Sequence, residues 1–463
     1  MNKRLGIVVT DGVGYRNFLL STFIEKAAKQ FDKVIIYSGL PKECYKHINV
    51  TPNVEVVGLS QYKETKKVWF YRKLKEVAHM FLHRKYYGMN YNLTRGYPKT
   101  NKKRDILVKL VYFIASIFRS ESFINKVEKQ QFLSYRNDKV YQEYLNILKK
   151  TTPDLLFFTH QRPPFLAPIL AAAKHLKIKS TSFIFSWDNL VSKSRMLGNF
   201  DGYFVWSDLM KNELKAVYPL VKDGNIFIVG TPQFEPYVLD NYNMGKDDFY
   251  KKFSLNPDKK IICYSCADAD IGRNDEIHIR SIIRYCKGKP IQILVRTSPA
   301  EDGKRFEPLR SEFPHVKWNF PAWYLSRENH SEAWSQRLPR VEDLMDLKAI
   351  LKYSDVNVNM LSTMSLDFML FDKPVVNTVF GNVENGLYND QVFLNFDHYK
   401  HVIKSKAVTI ATNEKELHLH LDEAIENPKK REKHRKEILD LEIGVPLKDT
   451  NDKIISALYN FST

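Results

Sequence analysis

The sequence predicts an α/β protein of two domains, each built around a parallel β-sheet. Short apolar runs typical of buried strands alternate with segments whose apolar residues recur at helical spacing, which is the pattern of strand–helix–strand units. This rhythm begins near residue 5 and restarts near residue 260. A chain of 463 residues is too long for one ordinary core, and 44% hydrophobic residues are ample for two. We therefore predict domains at residues 1–230 and 231–440, followed by a helical segment at 441–463.

The net charge of +18 is concentrated in one segment. Residues 61–104 hold 13 Lys/Arg against Glu64 and Glu76, together with nine aromatic residues. The next 14 residues, 105–118, are largely apolar but too few to span a bilayer, which takes about 20. Residues 61–150 read as an insertion in the first domain. Either residues 61–118 dock on an anionic membrane surface, or they form a solvated basic helix pair.

The same composition weighs against other protein classes. Basic residues interleaved with aromatics are also found in nucleic-acid-binding proteins, but no recognised reader motif is present, so we predict no nucleic-acid partner. Four cysteines are too few for a disulfide framework and favour a reducing cytoplasm. Cys263 and Cys266 have no second pair that would complete a zinc site, which makes a structural role the better interpretation. The apolar run at residues 5–9 is too short for a signal peptide and suits a first strand, so a cytoplasmic protein is expected.

In the first domain, strand 5–9 leads into a turn at residues 11–14 and a helix expected at 15–30. Further strands are predicted at 34–37, 54–57, 154–158 and 180–185, and a long polar helix ends near residue 150. The carboxyl ends of parallel strands are where such sheets place their chemistry. The loop facing that edge after the first strand begins at Asp11.

Three residues at these strand ends are candidates for a general base: Asp11, His160 and Asp188. Any one of them alone is more often a solvated or turn-forming residue. Asp188 has the added support of Trp187 as an apolar wall. Lys193 and Arg195 are expected to form a positive rim beside it.

The second domain begins with strand 260–264 and continues with strand 291–295, which ends at Arg296. Asp268 and Asp270 form the nearest approach to a metal-binding DxD pair, but they follow a strand where a phosphate-proximal loop is equally expected. Residues 314–340 carry no clear pattern.

Residues 353–381 are predicted to form a strand, a tight turn, a helix and a second strand. The helix should start near Ser362, so that Ser362, Thr363 and Ser365 cluster at its first turn. Unpaired N–H groups and the positive dipole end favour an anion there, and phosphate is the obvious one. The alternative is a simple helix cap.

This motif resembles the donor site of GT-B glycosyltransferases, in which a helix opens with small hydroxyl residues and carries a carboxylate seven positions before a Pro-Val-Ile type strand. Asp367 stands at that carboxylate position before Pro374. In the family this residue is usually Glu and hydrogen-bonds the ribose; the shorter Asp is similar to the glycerophosphotransferase relatives of the fold. The family's usual Gly two places before the proline is Asp372 here.

The resemblance implies a GT-B protein, with two Rossmann-like domains whose parallel sheets face an interdomain cleft. It also implies that Arg296 contacts the donor phosphates and that the last helix returns to the first domain. The implied activity is sugar transfer from a nucleotide-diphosphate donor, most often a UDP-sugar, to a glycan or lipid-linked saccharide in bacterial surface polysaccharide synthesis. No metal or other cofactor is expected. An epimerase, a glycerophosphotransferase and an inactive sugar-binding protein remain open alternatives.

Overall fold

The computed structural model describes residues 3–46, 51–269, 271–328, 330, 333–381 and 390–462. The chain forms two compact units. The first comprises Met1–Gln233, Ser326–Gln336 and Glu442–Thr463, and the second Phe234–Leu325 and Arg337–Leu441. Residues 326–336 therefore belong to the first unit, although the sequence assigned them to the second domain. Most of the loop expected after Gly381, residues 382–389, lies outside the described residues.

The first unit is built on a seven-stranded parallel sheet with strand order β3-β2-β1-β4-β5-β6-β7. Its strands are β1 (Arg4–Val9), β2 (Lys33–Ser38), β3 (Val54–Gly58), β4 (Leu155–Phe158), β5 (Lys179–Phe183), β6 (Gly202–Val205) and β7 (Ile226–Ile228). The strand order reverses between β1 and β4. We call the carboxyl ends of these two strands the first switch point.

The second unit repeats this plan with a six-stranded parallel sheet in the order β10-β9-β8-β13-β14-β15. Its strands are β8 (Lys260–Ser265), β9 (Ile291–Arg296), β10 (Lys317–Asn319), β13 (Val356–Asn359), β14 (Val375–Thr378) and β15 (Thr409–Ala411), and β11 (Trp323–Leu325) pairs antiparallel with β12 (Arg337–Pro339). Here the order reverses between β8 and β13, whose carboxyl ends we call the second switch point.

The α-helices are α1 (Gly12–Gly14), α2 (Phe23–Gln30), α3 (Lys66–Leu82), α4 (Tyr87–Arg95), α5 (Lys103–Ile117), α6 (Glu121–Leu133), α7 (Lys139–Thr151), α8 (Ala167–His175), α9 (Asn189–Ser192), α10 (Asp208–Val217), α11 (Lys246–Lys252), α12 (Asp275–Cys286), α13 (Glu307–Glu312), α14 (Val341–Tyr353), α15 (Met364–Met369), α16 (Asp397–Ser405), α17 (Glu414–Glu426), α18 (Glu432–Glu442) and α19 (Thr450–Phe461). In the first unit, α19 packs on α2, and the Lys26 ammonium lies 2.8 Å from the Asp452 carboxylate.

Two helix predictions in the first unit are wrong. The helix expected at residues 15–30 is a π-turn over Tyr15–Leu19 followed by α2, because the Ser21 hydroxyl accepts the Phe23 N–H at 3.3 Å and competes with continued helix. The long polar helix is a group of five, α3 to α7. New helices begin where side chains cap them: Ser120 accepts the Phe123 N–H, and Asp138 accepts the N–H groups of Val140 and Tyr141.

Strands covered by helices supply the core of the second unit. Ile279 and Ile282 of α12 and Leu417 and Leu421 of α17 are fully buried against apolar strand residues such as Val295. Complete burial of such a side chain contributes about 1.5–3 kcal/mol. The helices thereby fix the sheet and the direction in which its strand ends present their loops.

Candidate active site

The first switch point brings Asp11 and His160 together. Asp11 follows β1, His160 follows β4, and an Asp11 Oδ2 lies 3.4 Å from His160 Nδ1. Both side chains are buried. These two sequence candidates therefore form one histidine–carboxylate pair, although they are 149 residues apart in the chain.

Backbone groups hold the Asp11 carboxylate in place. Its Oδ1 accepts the N–H groups of Val13 at 3.1 Å and Gly14 at 2.8 Å. Burial by itself would raise the pKa of Asp11, but the hydrogen bond and charge of His160 and the two N–H groups outweigh it and keep the pKa below its usual value. A Cβ on Gly14 would lie 2.8 Å from the Thr159 hydroxyl, so this turn needs glycine to approach β4. The carboxylate is fixed and ionised beside the imidazole.

The loop after β5 also contributes residues to the first switch point. The Phe185 ring stacks on His160 with centroids 3.9 Å apart and planes 9° apart, which fixes the tilt of the imidazole. Asp188 is not in the pair. Its Oδ1 accepts the Asn189 side-chain amide at 2.9 Å, and Asn189 Oδ1 accepts the Gln161 side-chain amide at 2.8 Å. Asp188 is thus linked by side-chain hydrogen bonds to the residue that follows His160.

Arg327 also reaches this edge, and sequence reasoning missed it. Its guanidinium donates to the carbonyl oxygens of Gly39 and Thr10, which follow β2 and β1, the latter at 2.6 Å. It also donates to the Ser335 hydroxyl at 3.1 Å. Burial lowers the pKa of Arg327, and the charge of Asp11 opposes that shift. The segment 314–340 offered no local pattern from which this placement follows.

Arg195 lies in a different place from the one expected. It is buried rather than part of a positive rim: it donates to Glu121 at 2.8 Å, and its guanidinium carbon lies 4.4 Å from the centroid of the Tyr218 ring. Lys193 does pair with Asp188, at 3.2 Å. Of the two residues expected to form the positive rim, Lys193 is the one that pairs with Asp188.

A second histidine–carboxylate group lies beside Arg195; it is formed by His79, His83 and Glu121, and we call it the insertion cluster. One potential ligand atom from each lies within 4.8 Å of the others, so the group has the composition of a metal site. Arg195, however, donates to Glu121 and lies 3.4 Å from His79 Nδ1. Burial first, and then the charges of Arg195 and His83, lower the pKa of His79 well below its usual value. We interpret the group as a polar core between α3 and α6.

At the second switch point, a tight turn follows β13. Leu361 adopts φ = 49°, a left-handed conformation that costs a non-glycine residue about 1–2 kcal/mol. The Ser362 N–H donates to the Asn359 side chain at 2.8 Å, and the Ser362 hydroxyl accepts the Met364 N–H at 3.2 Å. Helix α15 begins at Met364, two residues after Ser362, and has six residues. Ser362 and Thr363 remain partly exposed on the turn.

Ser365 points into the unit instead. Its hydroxyl is fully buried, lies 2.8 Å from the Tyr399 hydroxyl and accepts the amide groups of Asn359 and Asn377 at 3.1 and 3.3 Å. These side chains of β13, β14 and α16 tie the turn to the sheet. Ser365 therefore supports the turn from behind, while Ser362 and Thr363 lie on its outer side.

Asp367 is buried on α15 and accepts a short hydrogen bond from the Tyr237 hydroxyl. Asp372, which stands two places before Pro374, has φ = 53°. This is the left-handed conformation that glycine adopts at no cost and that Asp tolerates better than most residues. The Asp372 carboxylate also accepts the buried Arg435 guanidinium at 2.8 Å. Asp372 therefore holds a conformation that a glycine at this position could also adopt.

Arg296 is held within the second unit. Its guanidinium donates to both oxygens of Asp343, at 2.9 and 3.1 Å, and to the Asn319 side chain. Arg296 and Asp343 are both buried. The positive charge of Arg296, predicted to contact a phosphate, is thus already balanced at the end of β9 by the Asp343 carboxylate of α14.

The remaining sequence candidates fall at the end of β8. Asp268 accepts the Ser298 hydroxyl, and Asp270 lies outside the described residues. Cys263 and Cys266 are buried, and burial raises the pKa of Cys263 to about 12. A thiol in such surroundings stays protonated and unreactive.

Comparison with known proteins gives the fold. No protein-family model and no curated protein matches the sequence. Solved structures do match over nearly the whole chain. A UDP-N-acetylglucosamine 2-epimerase from Neisseria meningitidis bound to UDP-GlcNAc is 9% identical, with a TM-score of 0.52 and coverage of 99% of this chain and 100% of that one. The chain has the GT-B fold.

Two further GT-B matches carry different activities in their names. A glycosyltransferase from Rickettsia africae is 11% identical, with a TM-score of 0.52 and coverage of 99% and 98%. The wall teichoic acid polymerase TagF is 11% identical, with a TM-score of 0.50 and coverage of 100% and 89%. The predicted α/β class and GT-B resemblance are confirmed. The GT-B fold is shared by glycosyltransferases, epimerases and TagF, so the fold by itself does not select one of these activities.

Proposed function

We propose that this protein is a metal-independent glycosyltransferase that moves a sugar from a nucleotide-diphosphate donor, a UDP-sugar, to a glycan or lipid-linked saccharide. The observation that carries the proposal is the Asp11–His160 pair at the first switch point. In open parallel sheets ligands bind at such points. A buried imidazole oriented by an ionised carboxylate is suited to accept the proton of an acceptor hydroxyl as that hydroxyl attacks the sugar. Surface polysaccharide synthesis in the bacterial cytoplasm, at the inner face of the membrane, is the matching setting.

Each residue of the first switch point has a separate role in this proposal. His160 acts as general base, and Asp11 holds its Nδ1 and offsets the positive charge that forms on the ring. Asp188 is the alternative base. Arg327 adds a fixed positive charge at the same edge.

In the second unit, Ser362 and Thr363 are proposed to donate to the diphosphate, and Asp367 to contact the ribose. Ser365 and Arg296 were also predicted to bind the donor. Their hydrogen bonds within the unit instead suit a supporting role, with Ser365 behind the turn and Arg296 paired to Asp343. The N. meningitidis epimerase bound to UDP-GlcNAc supports a nucleotide-sugar ligand in general.

A glycerophosphotransferase is the second candidate. The observation in its favour is Asp367, which stands where the glycosyltransferases usually have Glu and which accepts the Tyr237 hydroxyl. Such an enzyme would also use a nucleotide-diphosphate donor and a base for an acceptor hydroxyl. A screen of UDP-sugars against CDP-glycerol, with the product detected by mass, separates the two.

Donor binding is tested with a Ser362→Ala/Thr363→Ala double variant. Loss of two hydrogen bonds to a charged phosphate should weaken UDP binding by about 1–3 kcal/mol, measured by calorimetry. Ser405→Ala is the matched control, because Ser405 accepts the Ala407 N–H at 3.1 Å just as Ser362 accepts that of Met364. Unchanged UDP affinity in a folded double variant would remove these hydroxyls from the donor site.

A further inference from the structure

Helix α5 in the insertion has an apolar face turned to solvent. Four residues at helical spacing form it: Ile106, Leu110, Phe113 and Ile117 are 56%, 48%, 64% and 56% exposed. At 100° per residue these positions fall within an arc of about 60°. We call this set the α5 stripe. It is a continuous apolar line along the helix rather than scattered single side chains.

The opposite face of α5 is already used. Val111, Tyr112 and Ala115 are buried in a cluster with α3 and α6 residues, and the Tyr112 hydroxyl donates to the Leu93 carbonyl oxygen at 3.0 Å. The orientation of the helix is therefore set by its packing. The α5 stripe points outward because it lies on the other side of the same helix.

The stripe is unusual within this chain. Of the 16 large hydrophobic residues that are exposed in the described part of the chain, six lie within residues 106–118. Leu107 and Phe118 are the other two. A patch this concentrated marks an interaction surface, whereas single exposed residues do not.

Positive charge surrounds the stripe. Residues 84–118 contain eight Lys/Arg and one acidic residue, Asp105. Lys99, Lys102, Lys103 and Arg104 are exposed and lie immediately before or within the first turn of α5. An apolar line flanked by lysine and arginine complements an anionic lipid surface, whose headgroups are negative and whose acyl boundary is apolar.

The length of α5 excludes a span. Its 15 residues reach about 22 Å, less than the roughly 30 Å of a bilayer core. Nor does any other helix in the described ranges have the length and apolarity needed to cross a membrane. The geometry suits a helix lying in the plane of the interface, with the stripe inserted and the basic residues at the headgroups.

We propose that the first unit docks on anionic lipid bilayers through the α5 stripe and the basic residues at its amino end. This docking does not depend on the proposed transfer reaction, and the two are tested separately.

The binding test is cosedimentation of the full chain with vesicles. Vesicles with about 30% phosphatidylglycerol should sediment the protein at low salt, vesicles of phosphatidylcholine alone should not, and binding should fall steeply by about 0.5 M salt because exposed charges are then screened within a few Å. Equal binding to both vesicle types at low salt would overturn the proposal.

Variants then locate the surface. Leu110→Asp/Phe113→Asp should weaken binding to the anionic vesicles by about tenfold or more, since two charges enter the inserted face. Leu419→Asp is the control: Leu419 is 65% exposed on α17 of the second unit and should bind like the native chain. Lys102→Gln/Lys103→Gln/Arg104→Gln should also lose about tenfold or more, because each basic residue near an anionic surface accounts for about fivefold.

Two results would contradict this assignment. One is binding of the folded Leu110→Asp/Phe113→Asp variant to anionic vesicles with the same affinity as the native chain. The other is sedimentation of the lipid-free protein as a dimer that the same variant converts to a monomer, which would assign the stripe to a second copy of the chain.

Discussion

Two histidine–carboxylate groups lie in the same unit, and they differ in what faces the carboxylate. At the first switch point, Asp11 accepts two backbone N–H groups, and the nearby Arg327 gives its hydrogen bonds to carbonyl oxygens instead. In the insertion, Glu121 accepts the Arg195 guanidinium. Asp11 therefore has its charge available to His160, whereas the charge of Glu121 is already balanced.

The residue types in such a group therefore do not determine its role. Histidine beside a carboxylate is the composition of a general base, a metal site and a polar core alike. The group that contacts the carboxylate decides among these roles. Backbone N–H groups leave the histidine–carboxylate pair able to exchange a proton, whereas a guanidinium balances the carboxylate charge and gives the group a structural role.

His160→Ala should lower turnover by about 100- to 10,000-fold, which is the usual cost of losing a general base. UDP binding should persist, because the donor residues lie on the other sheet. The measurement is initial rate with a donor identified by the screen, alongside calorimetry. Asp188→Asn is the companion variant, and a large loss there combined with normal turnover in His160→Ala would move the base to Asp188.

Arg195→Met should have its effect on stability instead. It leaves the Glu121 carboxylate, whose side chain is 13% exposed, beside His79 and His83 without its cation, and breaking a largely buried ion pair costs up to about 3–5 kcal/mol. Chemical denaturation measures the loss. Arg136→Met, at an exposed position, should stay within about 0.5 kcal/mol of the native chain. A stable Arg195→Met variant with reduced turnover would show that the insertion cluster takes part in the reaction.

Sequence reasoning named Asp11 and His160 as separate candidates, not as a pair, and named no member of the second group, for a physical reason. Asp11 and His160 follow strands, and parallel strands bring their carboxyl ends to one edge wherever they stand in the chain. The second group depends on how α3 and α6 pack, which helical periodicity alone does not specify. Arg327 was missed on the same ground: its contacts with Gly39 and Thr10, which bring it to the first switch point, join residues 288 and 317 positions apart.

Strand positions were predicted well, and side-chain directions were not. Strand β13 ends at Asn359 as expected, because alternating polar and apolar residues define it. Three clustered hydroxyls after it, however, do not reveal which of them faces inward. Ser365 does so because Asn359 and Asn377, on neighbouring strands, offer it partners. The spacing of residues along the sequence does not predict that contact.

The pH dependence of stability offers a smaller test on the insertion. The pKa of His79 lies well below 6.5 in the folded chain, so the folded state resists a proton that the unfolded state takes up. His79 therefore supports folding above pH 6.5, and that support is lost as pH falls below it, by about 1.4 kcal/mol per pH unit. His79→Gln should make the decline between pH 6.5 and 5 shallower by this amount. An unchanged slope would mean that His79 titrates normally in the folded chain.

The smallest expected effect is that of zinc. His79, His83 and Glu121 have a suitable composition, but a divalent cation there would meet the Arg195 guanidinium, which lies 2.8 Å from the carboxylate and 3.4 Å from the nearer imidazole nitrogen. Binding would have to expel that guanidinium from its contacts with Glu121 and Tyr218, separating a buried positive charge from its paired carboxylate. Zinc should therefore leave the unfolding temperature unchanged in the native chain, as measured by thermal shift with a chelator control.

Arg195→Met removes the competing charge, so zinc should raise the unfolding temperature of that variant if the guanidinium is what excludes the metal. A zinc-dependent rise in the native chain that His83→Ala abolishes would show that Arg195 yields to the metal, and the insertion cluster would then be a metal site rather than a polar core.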